Sequence, residues 1–246
     1  ERFFALYFFE IRPPTTSYRR MSGPFFHGFG MKSGCLSVTC RKALRMFFAY
    51  LIFAVLCGCA TPTPPRNLDN VCEIFRENDD WYDDAADAYK KWGIPIPVMM
   101  AILHQESKYV ADAKPPRTTC LWIFPGPRPS SAYGYAQVLD VTWEEYQESA
   151  DNSWADRDDF GDAIDFVGWY CSLSVKKCGI SKDNARNLYL AYHEGRGGYN
   201  RKTYAKKAWL LNVANRVQNR AVKYRGQLAA CESEFRDKWG CCLWPF

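Results

Sequence analysis

The chain has 246 residues, of which 48% are apolar and 16% aromatic, enough to bury one substantial hydrophobic core. This composition excludes a disordered or collagen-like protein. Residues 1–58 hold 8 of the 32 Lys and Arg but only 2 of the 27 Asp and Glu, which leaves 24 basic against 25 acidic residues afterwards. The remainder therefore has no basic excess, and we expect no nucleic-acid partner.

The first segment has the pattern of an export signal. The stretch "RKALRMFFAYLIFAVLCGC" (41–59) joins basic residues to an apolar run from Met46 to Leu56. That run is too short for the roughly 20 residues that a membrane-spanning helix needs. We therefore predict that residues 1–58 are a leader with a signal peptide, and that Met31 is the best candidate for the true start.

The signal ends in "LCGC" (56–59), which resembles the lipobox of bacterial lipoproteins. The resemblance implies that Cys59 carries a lipid, and Ala60 after it implies an outer-membrane lipoprotein facing the periplasm. The alternative is an ordinary signal peptide that is cut nearby and leaves Cys59 as a normal thiol. Three prolines in "ATPTPPRN" make residues 59–67 a predicted tether, so the folded body is expected to begin near Leu68.

Seven further cysteines predict disulfides, because an exported chain meets an oxidising setting. Cys171 and Cys178 are the pair that we favour for a disulfide. Seven residues on one unbroken helix span about 10 Å, so this pair requires the helix to end before Cys178. The cysteine spacings do not form a zinc set, and only His104 and His193 follow the leader. We therefore predict no metal and no cofactor.

The chain after the tether is predicted to be all-α. Periodicity and capping signals indicate helices, taken in chain order, at 67–78, 79–93, 95–109, 141–149, 158–177, 183–193 and 202–226. Pro97 suits a first helical position. Residues 112–133, rich in Pro and Ser, predict a long irregular loop, and loops of this length often carry function.

Glu106 stands out near the end of the third predicted helix. Val98, Met99, Ile102 and Leu103 lie eight, seven, four and three residues before it, which places the acid on an apolar helix face. A carboxyl group on such a face loses water, and its pKa rises toward the value that suits a general acid near neutral pH. The alternative is a solvated or salt-bridged residue at the mouth of the helix.

Three short motifs follow one another in the chain: "QES" (105–107), "GYAQ" (134–137) and "AYHEG" (191–195). They resemble the motif series of the soluble lytic transglycosylases, the goose-type-lysozyme-like muramidases. In that family the pattern runs Glu-Ser, Gly-Leu-Met-Gln and Ala-Tyr-Asn-Ala-Gly. The resemblance covers about residues 90–200 and implies a lysozyme-like domain, which we place at 68–230, with a Cys- and aromatic-rich tail at 231–246.

The resemblance also implies roles for individual residues. Glu106 would be the catalytic acid and base, and Ser107 would support the substrate or the local backbone. Tyr192 would orient the glutamate. Gly134 and Gln137 match the second motif and would line the groove, and Gly195 closes the third motif.

The chain departs from the family pattern at two places. Tyr135 and Ala136 replace the Leu-Met pair, so Tyr135, like Trp143, is expected to offer a flat ring to a sugar, although core packing is the other interpretation of Trp143. His193 and Glu194 replace Asn-Ala. Glu194 is therefore a possible second carboxylate if it points into the groove, and otherwise a surface residue.

The family reaction needs one glutamate, because the 6-hydroxyl of N-acetylmuramic acid attacks its own anomeric carbon. The resemblance therefore implies cleavage of the β-1,4 bond to N-acetylglucosamine in peptidoglycan, with release of 1,6-anhydro-muropeptides. Two alternatives remain open. Glu194 in the groove would favour a hydrolytic muramidase, since glycosidases that use water usually need two carboxylates. A non-catalytic lipoprotein would instead bind peptidoglycan or serve in an envelope-spanning secretion complex.

Overall fold

The computed structural model describes residues 63–117, 119–120 and 124–236. The predicted leader, the predicted lipidation site at Cys59 and the last ten residues lie outside this range. Within it, no helix is both long and apolar enough to cross a bilayer.

Seven α-helices account for most of the described chain, which confirms the predicted all-α fold. One 3₁₀ turn, Thr203–Lys206, precedes the last helix. The helices are α1 (Val71–Glu77), α2 (Trp81–Trp92), α3 (Ile96–Ser107), α4 (Asp140–Ala150), α5 (Phe160–Cys178), α6 (Ala185–Asn200) and α7 (Ala208–Arg236).

The loop between α3 and α4 contains one small element of regular structure that sequence reasoning did not predict. Strands β1 (Thr119–Cys120) and β2 (Phe124–Pro125) pair antiparallel, with Thr119 opposite Pro125 and Cys120 opposite Phe124. The rest of the predicted irregular loop that the structure describes consists of turns, bends and residues without regular secondary structure, apart from an isolated bridge between Tyr133 and Val138.

The helix ends follow local sequence signals. The Asn70 side chain caps α1 by accepting a hydrogen bond from the backbone N–H of Cys72, and Asp159 caps α5 in the same way from Asp162. Helices α2 and α5 both end at a glycine in the left-handed conformation, Gly93 and Gly179. Local chemistry therefore sets where these helices begin and end.

Helix α3 is the centre of the domain. Nine of its twelve residues are buried, and the helix contacts α2, α5, α6 and α7. This surrounding shell explains why the run "VMMAIL" has no polar residue, since no side of this stretch faces water. The last turn of α3, which carries Glu106 and Ser107, comes directly after the buried run.

Aromatic rings fill the space between α2, α4 and α5. The Trp81 ring stacks on Phe160 with centroids 3.9 Å apart. Trp143 is buried against Tyr146 and Phe166, with centroids 5.0 and 5.4 Å away. Trp143 is therefore a core residue, and its ring is not available to a sugar.

The last helix is longer than its sequence pattern indicated. Helix α7 continues to Arg236, so the predicted boundary between the domain and its tail at 230 falls inside a helix. Phe235 is buried against Phe75 and Tyr82, with ring centroids 5.7 and 5.1 Å away. These long-range contacts keep the end of α7 in the core.

Within the described residues one disulfide, between Cys72 and Cys231, joins α1 to the last third of α7 across 159 residues of sequence. The expected pair of Cys171 and Cys178 is wrong. Helix α5 stays unbroken through Cys178, and both thiols are free. The helix thus keeps the two sulfurs too far apart for a bond.

Loss of the Cys72–Cys231 bond should destabilise the domain strongly, because the bond restricts a very long loop in the unfolded chain. We expect the double variant Cys72→Ala/Cys231→Ala to lose about 4 kcal/mol of unfolding free energy in urea titrations. Cys178→Ala, which removes a free thiol, should change that free energy by less than about 1 kcal/mol. Equal stability of the double variant and the parent would contradict the assigned bond.

Candidate active site

Glu106 lies in the last turn of α3 and lines a pocket of about 180 Å³. Lys108, two residues after Glu106, adopts the left-handed conformation (φ 54°) and ends the helix. The chain therefore turns away just after the acid. The pocket is lined by Glu106, Gln137, Val138, Leu139, Thr142, Phe166, Tyr170, Tyr192 and His193.

The carboxyl group of Glu106 is desolvated although the residue keeps some exposure to the pocket. Burial raises its pKa to about 7, and a hydrogen-bonding interaction with the Tyr189 hydroxyl opposes the rise. A group with this pKa is about half protonated at neutral pH. It can therefore donate a proton in one step and accept one in another.

The "GYAQ" stretch forms a turn whose backbone is held in place on both sides. Gly134 has φ +78°, and a Cβ atom there would lie 2.0 Å from the carbonyl oxygen of Arg157. Its N–H donates to the Ala113 carbonyl at 3.0 Å. Only glycine fits this close approach, so Gly134 shapes the turn and is not itself part of the pocket lining.

Gln137 closes the same turn and also lines the pocket. Its side-chain Nε2 donates to the carbonyl oxygens of Ala113 and Gly134, both at 2.8 Å. The residue has a positive φ of 49°, which costs a non-glycine residue some strain that these bonds help to offset. Gln137 thus stabilises the pocket wall that it belongs to.

Tyr192 also lines the pocket, but its hydroxyl has a different partner from the expected one. It donates to the Ala136 carbonyl at 2.7 Å and so joins α6 to the "GYAQ" turn. Tyr189, which is buried one helical turn earlier, is the tyrosine whose hydrogen-bonding interaction opposes the rise in the pKa of Glu106. Sequence reasoning missed Tyr189, although its spacing of three from Tyr192 places both on one helix face.

Besides Gly134 and Gly195, two more of the predicted substrate-binding residues are absent from the pocket lining. Tyr135 is 1% exposed and packs edge-on against Trp81 and Phe160, so its ring belongs to the core. Ser107 is buried, and its hydroxyl donates to the Leu103 carbonyl at 3.5 Å. The placement of Ser107 matches the backbone role, one of the two that the resemblance offered.

Glu194 neither points into the pocket nor behaves as a surface residue. Its side chain is 5% exposed, and both carboxylate oxygens accept from Lys207 Nζ at 2.7 and 2.9 Å. Burial alone would raise its pKa, but hydrogen bonds from Lys207, Thr203 and His193 outweigh this effect and lower the pKa. A carboxylate whose oxygens are held by these hydrogen bonds is not available as a direct nucleophile.

A family model described as transglycosylase SLT domain matches residues 47–231, about three quarters of the chain. The chain belongs to the transglycosylase SLT domain family. This membership confirms the resemblance that the three motifs suggested. No curated protein and no solved structure matches the chain. The matched range includes every residue of the Glu106 pocket.

Gly195, which ends the third family motif in this SLT domain, breaks helix α6. Its φ of 72° and ψ of 154° lie in a region that is essentially restricted to glycine. Beyond this kink the Arg196 guanidinium lies 4.7 Å from the ring centroid of Tyr170 and donates to Glu145 of α4 at 3.2 Å. The kink thus lets α6 hold α4 beside the pocket.

The pocket of this SLT domain contains few ionisable side chains, and this limits the reactions that it can catalyse. Among the residues that line it, Glu106 is the one acid. Over the described ranges, no three His, Cys, Asp or Glu side chains come together to hold a metal ion. The pocket therefore offers one carboxyl group, one imidazole and aromatic hydroxyls for proton transfer.

The raised pKa of Glu106 should cost stability above neutral pH. The folded value of about 7 exceeds the ordinary 4.5, so stability falls as the pH rises between the two values. We therefore expect Glu106→Gln to raise the unfolding free energy by about 2–3 kcal/mol at pH 8 and to leave it nearly unchanged at pH 4. Urea titrations at both pH values would test this, and an equal effect at both would contradict the shift.

Proposed function

We propose that the protein is an active lytic transglycosylase that cleaves the β-1,4 bond between N-acetylmuramic acid and N-acetylglucosamine in peptidoglycan. Peptidoglycan is the substrate expected of the SLT domain family to which the chain belongs. The single observation that carries the proposal is Glu106, the one acid in the pocket lining, with a pKa near 7.

In the proposed reaction Glu106 acts first as an acid. It transfers its proton to the glycosidic oxygen as the bond from that oxygen to the anomeric carbon breaks. The 6-hydroxyl oxygen of the same muramic acid then bonds to the anomeric carbon, and its proton goes to a basic group of the site, which is the Glu106 carboxylate in the family's scheme. The products are a 1,6-anhydro sugar and a free 4-hydroxyl, with no water consumed. Because the attack is intramolecular, the site gains from proximity.

The surroundings of Glu106 support this reaction over hydrolysis. A hydrolase usually needs a second carboxylate to activate water or to act as nucleophile. Glu194, the possible second carboxylate that the sequence suggested, is paired with Lys207 and is absent from the pocket lining. We therefore rank the hydrolytic muramidase below the transglycosylase.

The pocket has the size and lining expected for part of a sugar chain. Its volume of about 180 Å³ is below the roughly 300 Å³ at which small-molecule pockets usually begin, so we assign it to the reacting sugar only. Val138 and Leu139, which directly follow the "GYAQ" turn, supply an apolar wall. They could take the place of the apolar pair that the family has at Tyr135 and Ala136.

We also propose that the domain works at the outer membrane. Cys59 would carry the lipid, residues 60–67 would act as the tether, and the site would face the periplasm. A non-catalytic role in binding peptidoglycan, or as part of an envelope-spanning secretion complex, is the second candidate, and the experiment below separates it from catalysis.

The test is mass spectrometry of the sugars released from purified peptidoglycan by the parent, by Glu106→Gln and by Glu148→Gln. Glu148 is an exposed acid on α4 outside the pocket, so it provides a matched control. We expect 1,6-anhydro-muropeptides from the parent and the control, and a rate about 10³-fold lower from Glu106→Gln.

Other outcomes would overturn the proposal in distinct ways. Products with ordinary reducing ends would assign the protein to hydrolysis. No products from the parent, with binding to peptidoglycan intact, would favour the non-catalytic lipoprotein.

A further inference from the structure

We propose that His193 is a second catalytic group of this site, and that its imidazole accepts the proton lost by the attacking 6-hydroxyl group. The inference rests on the proposed transglycosylase reaction and assigns one half of its proton transfer. Glu106 would then serve as the acid and His193 as the base.

The position of His193 is the first support. Its side chain, 36% exposed, lines the same pocket of about 180 Å³ as Glu106. A pocket of this size brings both groups within reach of one sugar ring. Tyr189 and Trp209 lie against the imidazole, with ring centroids 6.4 and 5.3 Å from it, and limit its rotation.

The hydrogen bonding of the ring is the second support. Nδ1 of His193 lies 3.1 Å from Oε1 of Glu194. A charged carboxylate can only accept, so Nδ1 of the neutral imidazole carries the hydrogen and Nε2 keeps its lone pair. Nε2 makes no hydrogen bond to any residue in the described part of the chain. It is therefore free to accept from a substrate hydroxyl.

The setting of Glu194 is the third support. Lys207 donates to both of its oxygens and the Thr203 hydroxyl donates to one of them, while the side chain is 5% exposed. These bonds keep Glu194 charged and fixed, but turned away from the substrate. Its remaining contact is the Nδ1 of His193, so Glu194 acts through the imidazole as a positioning residue.

The charges around the imidazole are balanced. Lys207 is neutralised by Glu194, and Arg196 on the same helix is paired with Glu145. The other titratable groups lining the pocket, apart from His193, are Glu106 on α3, Tyr170 on α5 and Tyr192 on α6. Both cations near the imidazole are therefore paired with a carboxylate.

The sequence pattern agrees with this assignment. Where the family pattern has Asn-Ala, this chain has His193 and Glu194. An asparagine amide can orient a hydroxyl but cannot take its proton at neutral pH, whereas an imidazole can. The two changes together replace a polar contact with a base and the carboxylate that orients it.

The proton transfers balance over one turnover. The Glu106 proton goes to the leaving glycosidic oxygen while the bond from the anomeric carbon to that oxygen breaks. The 6-oxygen bonds to the anomeric carbon, and its proton goes to Nε2 of His193. Solvent then removes the proton from His193 and returns one to Glu106.

The test is kcat and KM for release of anhydro sugars by the full chain, measured across a range of pH. The parent should show an alkaline limb of kcat near pH 7 as Glu106 loses its proton. His193→Asn should lower kcat about 10²-fold with KM nearly unchanged, while the alkaline limb from Glu106 remains, because the asparagine amide keeps a polar contact but cannot accept the proton. Glu194→Gln should lower kcat less and keep the alkaline limb.

A matched control makes the test specific. His104, on α3 but in the lining of a different pocket, receives the same change in His104→Asn and should keep the kcat and KM of the parent. Thermal unfolding monitored by circular dichroism would verify that His193→Asn remains folded. An unchanged kcat in His193→Asn would overturn this inference alone. A parent that releases no sugar would overturn the proposed function together with it.

Discussion

Burial of the Glu106 carboxyl group at the end of α3 is the constraint on which the rest of the site depends. The helix is enclosed by four others, so its last turn presents the acid at the edge of the core with little water around it. Burial disfavours the charged form of this carboxyl group in the folded chain and raises its pKa to about 7. The group can therefore act as a general acid near neutral pH. The aromatic core and the Cys72–Cys231 bond offset the cost of this burial elsewhere.

The walls of the pocket are held by bonds between elements that are far apart in sequence. The hydroxyl of Tyr192 joins α6 to the "GYAQ" turn, and Arg196 joins α6 to Glu145 on α4. The glycines of the second and third motifs allow these contacts, since Gly134 admits the Arg157 backbone and Gly195 redirects α6. Their importance is therefore geometric, and neither needs to touch a substrate.

The sequence was sufficient to predict features that depend on local spacing. The apolar face before Glu106, the approximate positions of the helices, and the order of the three motifs all concern residues close in the chain. Features that depend on distant partners were missed. Cys72 bonds a residue 159 positions away, and Glu194 is turned from the pocket by Lys207, thirteen residues later. No local pattern encodes such contacts.

The most direct test of this account is a site-specific titration of Glu106 by carboxyl-carbon NMR, with Glu106→Gln used to assign its signal. The account predicts a pKa near 7 in the folded protein. A value near the ordinary 4.5 would show a solvated carboxylate at the mouth of the helix, and it would contradict the role of Glu106 as the acid of the site.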